Sequence, residues 1–242
     1  MKAPLINVTI PVWNEAKVLA DSVRRVVSFL AVNCTHPFEI VIANNGSTDG
    51  TGAVAEEMCR QYASVRVVTL SEAGRGRTLK TVWSQTGADV LSYMDVDLST
   101  DLEAFPALID SVLRGGFDLA TGSRRARGSI TTRRWQRALP SWCYHLLLRV
   151  LFQTRLSDVQ CGFKAISKHA AGELLPRVEQ KGWLMDAELL LFAERLGYRI
   201  CEVPVRWVEA TDSRVRIGRD AVDTIRGLVQ LRRDFSRRCR PR

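Results

Sequence analysis

Four short β-branched runs separated by helix-forming stretches fill the first half of the chain, and this alternation narrows the choice of fold more than anything else in it. "LINVTIP" (5–11), "FEIVIAN" (38–44), "VRVVTL" (65–70) and "DVLSYMD" (89–95) read as strands, the middle two with the few polar residues of buried parallel strands. Between them 15–31, 49–63 and 76–87 carry helical patterns, with Ser47 or Asp49 as caps of the second. Strands joined by helices in this way imply right-handed crossovers and a mostly parallel sheet flanked by helices, a Rossmann-like α/β fold. Ligands bind such sheets beyond the carboxyl ends of the strands. The notable polar groups lie there: Asn14 and Glu15 after the first strand, Asn44 and Asn45 after the second, Asp95 and Asp97 after the fourth.

Further along, the patterns predict a helix at 101–114, a strand at 117–121, an amphipathic helix at 135–152, a helix at 184–197, a strand at 198–205 and a basic helix at 217–236. With no linker, repeat or low-complexity tract, the 242 residues suit one domain over 1–215, followed by a basic helix and tail over 216–242. An apolar fraction of 46% with 25% charged residues excludes a disordered chain. The six cysteines form no C-x-x-C pair, which excludes a zinc ribbon and fits a reduced, cytoplasmic chain with buried thiols. Met1 leads into a strand without a signal-peptide layout, and no apolar run approaches the ~20 residues that span a bilayer.

"MDVDLS" places Asp95 and Asp97 alternately with Val96 and Leu98, so in an extended segment both carboxylates face the same way. Like charges so placed raise one another's pKa unless a cation or solvent intervenes. A D-x-D is short enough to be two capping acids at a strand end. If it is a metal site, oxygen ligands favour Mg2+ or Mn2+, which use one or two carboxylates together with substrate phosphates. Turn chemistry alone explains "NGSTDG", but not three polar clusters on one sheet edge.

In order, "PVWNE", "NNGSTDGT", "MDVDLS", "GSR", "SDVQCGFK", "WLMDAELL" and "EVPVRW" resemble a family-2 glycosyltransferase with the GT-A fold, over about residues 5 to 215. More narrowly they resemble the polyprenyl- and dolichyl-phosphate glycosyltransferases, the glucosyl branch most closely. The resemblance implies that Pro11, Trp13, Glu15, Asn44 and Val96 bind the nucleotide sugar, with Asn44 where an Asp is usual. An amide both donates and accepts hydrogen bonds where a carboxylate only accepts, so base preference is open. It implies Asp95, Asp97, Arg124 and Asp158 as catalytic residues, and Asp95, Asp97 and Ser99 around Mg2+ or Mn2+, Ser99 standing where mannosyl synthases carry Gln. Arg134, Arg137, Ser141, Ser213 and Arg214 would hold the acceptor phosphate. Asp158, Asp186 and Glu188 could equally anchor loops. Cys161 reads as a packing residue, and His36, His145 and His169 lie in no catalytic motif.

The expected reaction is inverting, metal-dependent transfer of a hexose from UDP-glucose, or second from GDP-mannose, to a polyprenyl or dolichyl monophosphate. The net charge of +9 fits an anionic partner, and no acidic residue falls between Asp118 and Asp158. Arginines of that stretch, together with Trp135, Trp142, Tyr144, Leu146, Leu147 and Phe152, have the composition of an interfacial helix. Peripheral attachment to the cytoplasmic face of a membrane follows, with room for a membrane-anchoring protein partner. In the competing reading Trp142 and Leu146 are core residues and the arginines a solvated face. A soluble or glycan acceptor and an inactive scaffold are the alternative functions. Nucleic acid is not an expected partner, because no ribonucleoprotein-type motif or zinc-finger spacing is present.

Overall fold

A computed structural model describes residues 3–72, 74–132, 135–209 and 217–238. The predicted alternation is present: β1 (Ile6–Val12), β2 (Phe38–Asn45), β3 (Val65–Leu70) and β4 (Val90–Met94) are joined by helices α1 (Ala16–Asn33), α2 (Thr51–Gln61) and α3 (Arg75–Gln85). After β4 come α4 (Phe105–Leu113), β5 (Leu119–Ser123), the short β6 (Ile130–Thr132) and α5 (Trp135–Phe152). The chain continues through β7 (Phe163–Ser167), α6 (Lys168–Leu174), α7 (Met185–Arg195), β8 (Ile200–Pro204), β9 (Arg206–Val208) and α8 (Ile217–Arg238).

Seven strands form one sheet in the order β3-β2-β1-β4-β7-β5-β8. β1 pairs in parallel with β2 on one side and β4 on the other, so the strand order reverses direction at the β1/β4 boundary. At such a boundary the flanking connections leave to opposite faces and open a crevice at the carboxyl edge. β7 alone is antiparallel, wedged between β4 and β5. Its first residue therefore lies on the edge where β1, β2, β4 and β5 end. β6 and β9 pair separately, and an isolated bridge from Thr100 to Trp207 braces the turn after β4.

Both faces of the sheet are covered, as a parallel sheet requires. On one, Ile6, Val8 and Ile10 meet α1 through Leu19, Val23, Val26 and Leu30, a helical spacing of apolar residues, all fully buried. On the other, Val41, Leu79, Tyr93, Leu190 and Phe192 form a second core, which Leu228, Leu231 and Phe235 of α8 join. Each such side chain contributes about 1.5–3 kcal/mol when fully buried.

The periodicity missed β7, β6, β9 and α6. β7 escaped because "FKAIS" carries Lys164 as its second residue, and a lysine is not expected in a central strand. Lys164 is nonetheless 2% exposed. Its ammonium donates to the carbonyl of Cys161 and lies 3.2 Å from Asp186 Oδ1, so the buried charge is paired.

Candidate active site

The sheet brings the separate sequence motifs to one edge. Asn14 follows β1 with φ 56°, the left-handed region that Asn tolerates better than most residues. Its side-chain oxygen accepts hydrogen bonds from the amides of Thr48 (2.7 Å) and Asp49 (3.3 Å), while its own amide donates to Ser47 Oγ (2.9 Å). Glu15 N donates to Thr51 Oγ1 at 2.8 Å. The loops after β1 and β2 are thus sewn together, with Trp13 48% exposed at their rim and Pro11 still within β1. Asn44 is buried at the end of β2, its Oδ1 accepting from Ser47 N at 3.2 Å. Asn45 instead anchors α3, accepting from Gly74 N (2.8 Å) and Thr78 Oγ1 (2.9 Å).

β4 ends at Met94, so the D-x-D lies in a turn rather than in an extended segment. Leu98 N donates to the carbonyl of Asp95 at 3.1 Å, and Leu98 itself has φ 49°. The relative placement of the two carboxylates therefore comes from the turn and not from strand alternation. Asp97 is exposed, and one of its oxygens accepts from Ser99 N at 3.0 Å. Val96 is buried beneath them. The surrounding protein raises the Asp95 pKa, Asp97 and Asp186 add to the rise, and the charge of Arg75 opposes it. Gly162 lies directly against Asp95: a Cβ there would stand 1.8 Å from Oδ2, and Asp95 N donates to the Gly162 carbonyl at 3.1 Å. The glycine of "QCGFK" is the seat of the first carboxylate.

Arg124 follows β5 onto the same edge. Its Nε (2.6 Å) and Nη2 (2.8 Å) both donate to Asp158, which also accepts from the Arg124 amide at 3.1 Å. Such a bidentate pair fixes the guanidinium plane. Its guanidinium carbon lies 5.5 Å from the centre of the Trp207 ring. Burial would push the Asp158 carboxyl up, but the hydrogen bonds and charge of Arg124 hold it at about 2. Glu202 of β8 supports the pair from below, accepting from Ser157 N (2.9 Å), Ser157 Oγ (2.6 Å) and Asp158 N (3.1 Å). Asp158 is thus committed to aiming Arg124. Burial raises the Cys161 thiol to about 11, which suits a packing residue and not a thiolate nucleophile.

Arg75, at the start of α3, joins this group although its motif gave little sign of it. Its Nη2 donates to Asp95 Oδ1 at 2.6 Å, and its guanidinium carbon is 4.9 Å from the ring centres of both Tyr93 and Trp183. Burial alone would favour its neutral form, but Asp95, Tyr93 and Asp186 outweigh that and keep it firmly cationic. A glycine-flanked arginine, "GRGR", was the available signal; Arg75 precedes the helical pattern of 76–87 and carries no assignment from the sequence. Asp186 accepts from the Tyr93 hydroxyl, and burial together with Asp186 raises the Tyr93 pKa well above its usual range. Glu188 accepts from Glu179 N (2.9 Å), Gln180 N (2.7 Å) and Arg238 (2.6 Å), tying α8 to the segment before α7.

Arg134, Ser213 and Arg214 lie outside the described residues, and Arg137 and Ser141 are described only as part of the helical backbone of α5. Among the described residues no three His, Cys, Asp or Glu side chains gather as a metal cluster. The two carboxylates of the turn, one of them open to solvent, fit a hard cation such as Mg2+ or Mn2+ that completes its shell with oxygens from elsewhere. The same set lacks the nitrogen and sulfur donors of a zinc site.

A second surface lies on α5. Leu148 is buried and Tyr144, Leu147, Leu151 and Phe152 pack partly into the core, while Trp142 (55%), Leu146 (45%) and Val150 (70%) point outward at i, i+4, i+8. Trp142 and Leu146 are therefore not core residues. Ile225 and Val229 are exposed on neighbouring α8, whose Phe235 ring meets Phe152 at 5.1 Å, and Arg149, Arg155, Arg232, Arg233 and Arg237 are exposed nearby in sequence. No helix among the described residues is long and apolar enough to cross a membrane.

Comparison with known proteins agrees with this geometry. A sequence model of glycosyl transferase family 2 matches residues 7–175. The chain is 34% identical over 220 residues to glycosyltransferase AglD of Haloferax volcanii, covering 89% of itself and 35% of that protein. It is 31% identical over 229 residues to the dolichyl-phosphate beta-glucosyltransferase of Mus musculus, covering 87% of itself and 69% of the relative. The chain thus spans about a third of the first relative and about two thirds of the second. Glucosyl-3-phosphoglycerate synthase from Mycobacterium tuberculosis, solved with Mn2+, UDP-glucose and phosphoglyceric acid, superposes with a TM-score of 0.71 at 21% identity, over 98% of this chain and 80% of that one. At that identity the likeness shows the fold.

Proposed function

Because the chain belongs to glycosyl transferase family 2 and is a glycosyltransferase of GT-A fold, we propose that it moves a hexose from a nucleotide sugar to a polyprenyl or dolichyl monophosphate with inversion. UDP-glucose is the preferred donor and GDP-mannose the second. The observation that carries the reading is the convergence, on one sheet edge, of the Asp95–Asp97 turn with Arg124 held rigidly by Asp158. Dolichyl-phosphate beta-glucosyltransferases among the relatives support the donor and acceptor classes.

In this reading Trp13 lies along the base, Pro11, Glu15 and Asn44 line the nucleotide end, and Val96 closes the floor. Asp95 and Asp97, with Ser99, would hold Mg2+ or Mn2+, which when bound supplies positive charge against the diphosphate. Arg124 adds a second positive charge to the leaving group, and its fixed plane means that no reorganisation accompanies bond breaking. An acceptor phosphate oxygen attacks the anomeric carbon as the bond to the nucleoside diphosphate breaks, and the electron pair departs with the diphosphate. A phosphate monoester has a second pKa of about 6, so at neutral pH the nucleophile is already largely deprotonated. No general base is required, in keeping with three histidines outside the site motifs. Arg134, Arg137, Ser141, Ser213 and Arg214 are proposed to receive the acceptor phosphate.

A polyprenyl acceptor lies at a bilayer surface, and the outward stripe of α5 with the flanking arginines suits peripheral docking there. Anionic lipid attracts such residues by roughly 1 kcal/mol each. The cytoplasmic face and a membrane-anchoring partner belong to the same proposal. The test is incubation with labelled UDP-glucose or GDP-mannose and polyprenyl phosphate. Transfer into butanol-extractable lipid is expected. Labelled product with a soluble acceptor alone would move the reading to a non-lipid substrate.

A further inference from the structure

We propose that Arg75 is an internal counterion that competes with a divalent cation for Asp95, so that metal and donor diphosphate enter the site together. The inference rests on the metal-dependent reading above and adds the residue that makes metal binding conditional.

Arg75 Nη2 lies 2.6 Å from Asp95 Oδ1, and its side chain is only 11% exposed. Tyr93 and Trp183 each present a ring to its guanidinium at 4.9 Å. A divalent ion on Asp95 would bring a second positive charge close to the guanidinium, and the two cations repel. The carboxylate is seated at its backbone end and against Gly162, although its side chain is partly exposed. Asp95 N is bonded to the Gly162 carbonyl, and the glycine's missing Cβ is the space that Oδ2 fills. Movement of Arg75 away from Asp95 is what relieves that repulsion.

Two features make yielding feasible. Among the described residues Arg75 Nε is buried without a hydrogen-bond partner, the Asp186 Oδ2 atom standing 4.0 Å away, so part of its donor capacity is unspent in this arrangement. Trp183, which covers one face of the guanidinium, is 72% exposed and sits with Lys181 and Gly182 in an exposed run before α7. A diphosphate entering beside the turn offers Arg75 several anionic oxygens in exchange for one carboxylate. Metal alone offers nothing to the displaced guanidinium. Donor and metal together replace both halves of the Arg75–Asp95 pair.

The experiment measures Mn2+ binding directly, through the electron paramagnetic resonance signal of unbound Mn2+, with and without UDP. Wild-type protein is expected to bind Mn2+ at least tenfold more tightly when UDP is present. Arg75→Met is expected to bind Mn2+ at least tenfold more tightly than wild type without UDP, and to show less than threefold dependence on it. Arg77→Met removes the same charge from α3 at a side chain that is paired with Glu72, and it should change affinity by less than threefold. An equal gain in that control means general electrostatics and overturns the proposal. Equal Mn2+ affinity of wild type and Arg75→Met without UDP overturns it too, while leaving the metal-dependent reading intact. Wild type binding Mn2+ as tightly without UDP as with it does the same, whether or not the variant folds. Absence of Mn2+ binding in every sample, UDP included, overturns both.

Discussion

Gly162 and Asp95 are fitted so closely that a methyl group on the glycine would stand 1.8 Å from a carboxylate oxygen. The obstructing atom is the end of a side chain, so Gly162→Ala should displace the carboxylate sooner than unfold the protein. We expect a thermal midpoint within a few degrees of wild type and a fall of at least tenfold in kcat/KM for the nucleotide sugar. An unchanged kcat/KM would mean that the position of Asp95 does not matter to turnover.

Asp97 is exposed and its one described side-chain hydrogen bond is to Ser99 N. Exposed substitutions away from packing usually alter stability by about 0.5 kcal/mol or less. Asp97→Ala should therefore leave the urea midpoint nearly unchanged while reducing sugar transfer at least a hundredfold. Full transfer by the variant would remove the D-x-D from the mechanism.

Asp158 supplies a pH dependence of defined sign. Its carboxyl is held at about 2 against an ordinary value of 3.8. A depressed folded-state pKa stabilises above the ordinary value, and that stability is lost as pH falls through the folded one. The contribution is about 2 kcal/mol, lost between about pH 5 and pH 2. Asp158→Asn should lack this portion of the acid slope in urea unfolding. It should also be less stable at pH 7 by about 3–5 kcal/mol, since it leaves the Arg124 charge buried without its partner.

Trp142, Leu146 and Val150 should act in docking and not in folding. Leu146→Glu, on the outward stripe, is expected to lower flotation with vesicles containing anionic lipid at least fivefold, and raised salt should weaken wild-type flotation as well. The thermal midpoint should stay within a few degrees. Flotation equal to wild type would assign the stripe to another partner.

Much of the site was legible because strand ends are legible. Asn14, Asn44 and Asp95 each follow a β-branched run, and a parallel sheet must bring such ends to one edge. What the pattern hid was paired charge. Lys164 disguised β7, because its partner Asp186 lies in a helix that follows later in the chain. Arg75 has no assignment from the sequence for the same reason: its partners Asp95, Tyr93 and Trp183 are distant in sequence. The D-x-D follows the fourth strand as expected but lies in a turn and not in an extended segment, since the positive φ of Leu98 has no reliable signature in a leucine. On α5 the apolar residues occupy two faces, and periodicity could not say that Leu148 is inside while Trp142 is outside.

The reversed direction of β7 has a consequence for how such a chain can diversify. β5 leaves the central sheet at Ser123 and β7 re-enters it at Phe163, both on the same edge, so the excursion that carries β6 and α5 begins and ends side by side. A detour with adjacent ends can be exchanged or lengthened without changing the order of the strands. In the proposed reading, the half of the molecule built on β1, β2 and β4 keeps the donor while the detour is refitted to a different surface or acceptor, as a tool keeps its handle when the head is changed.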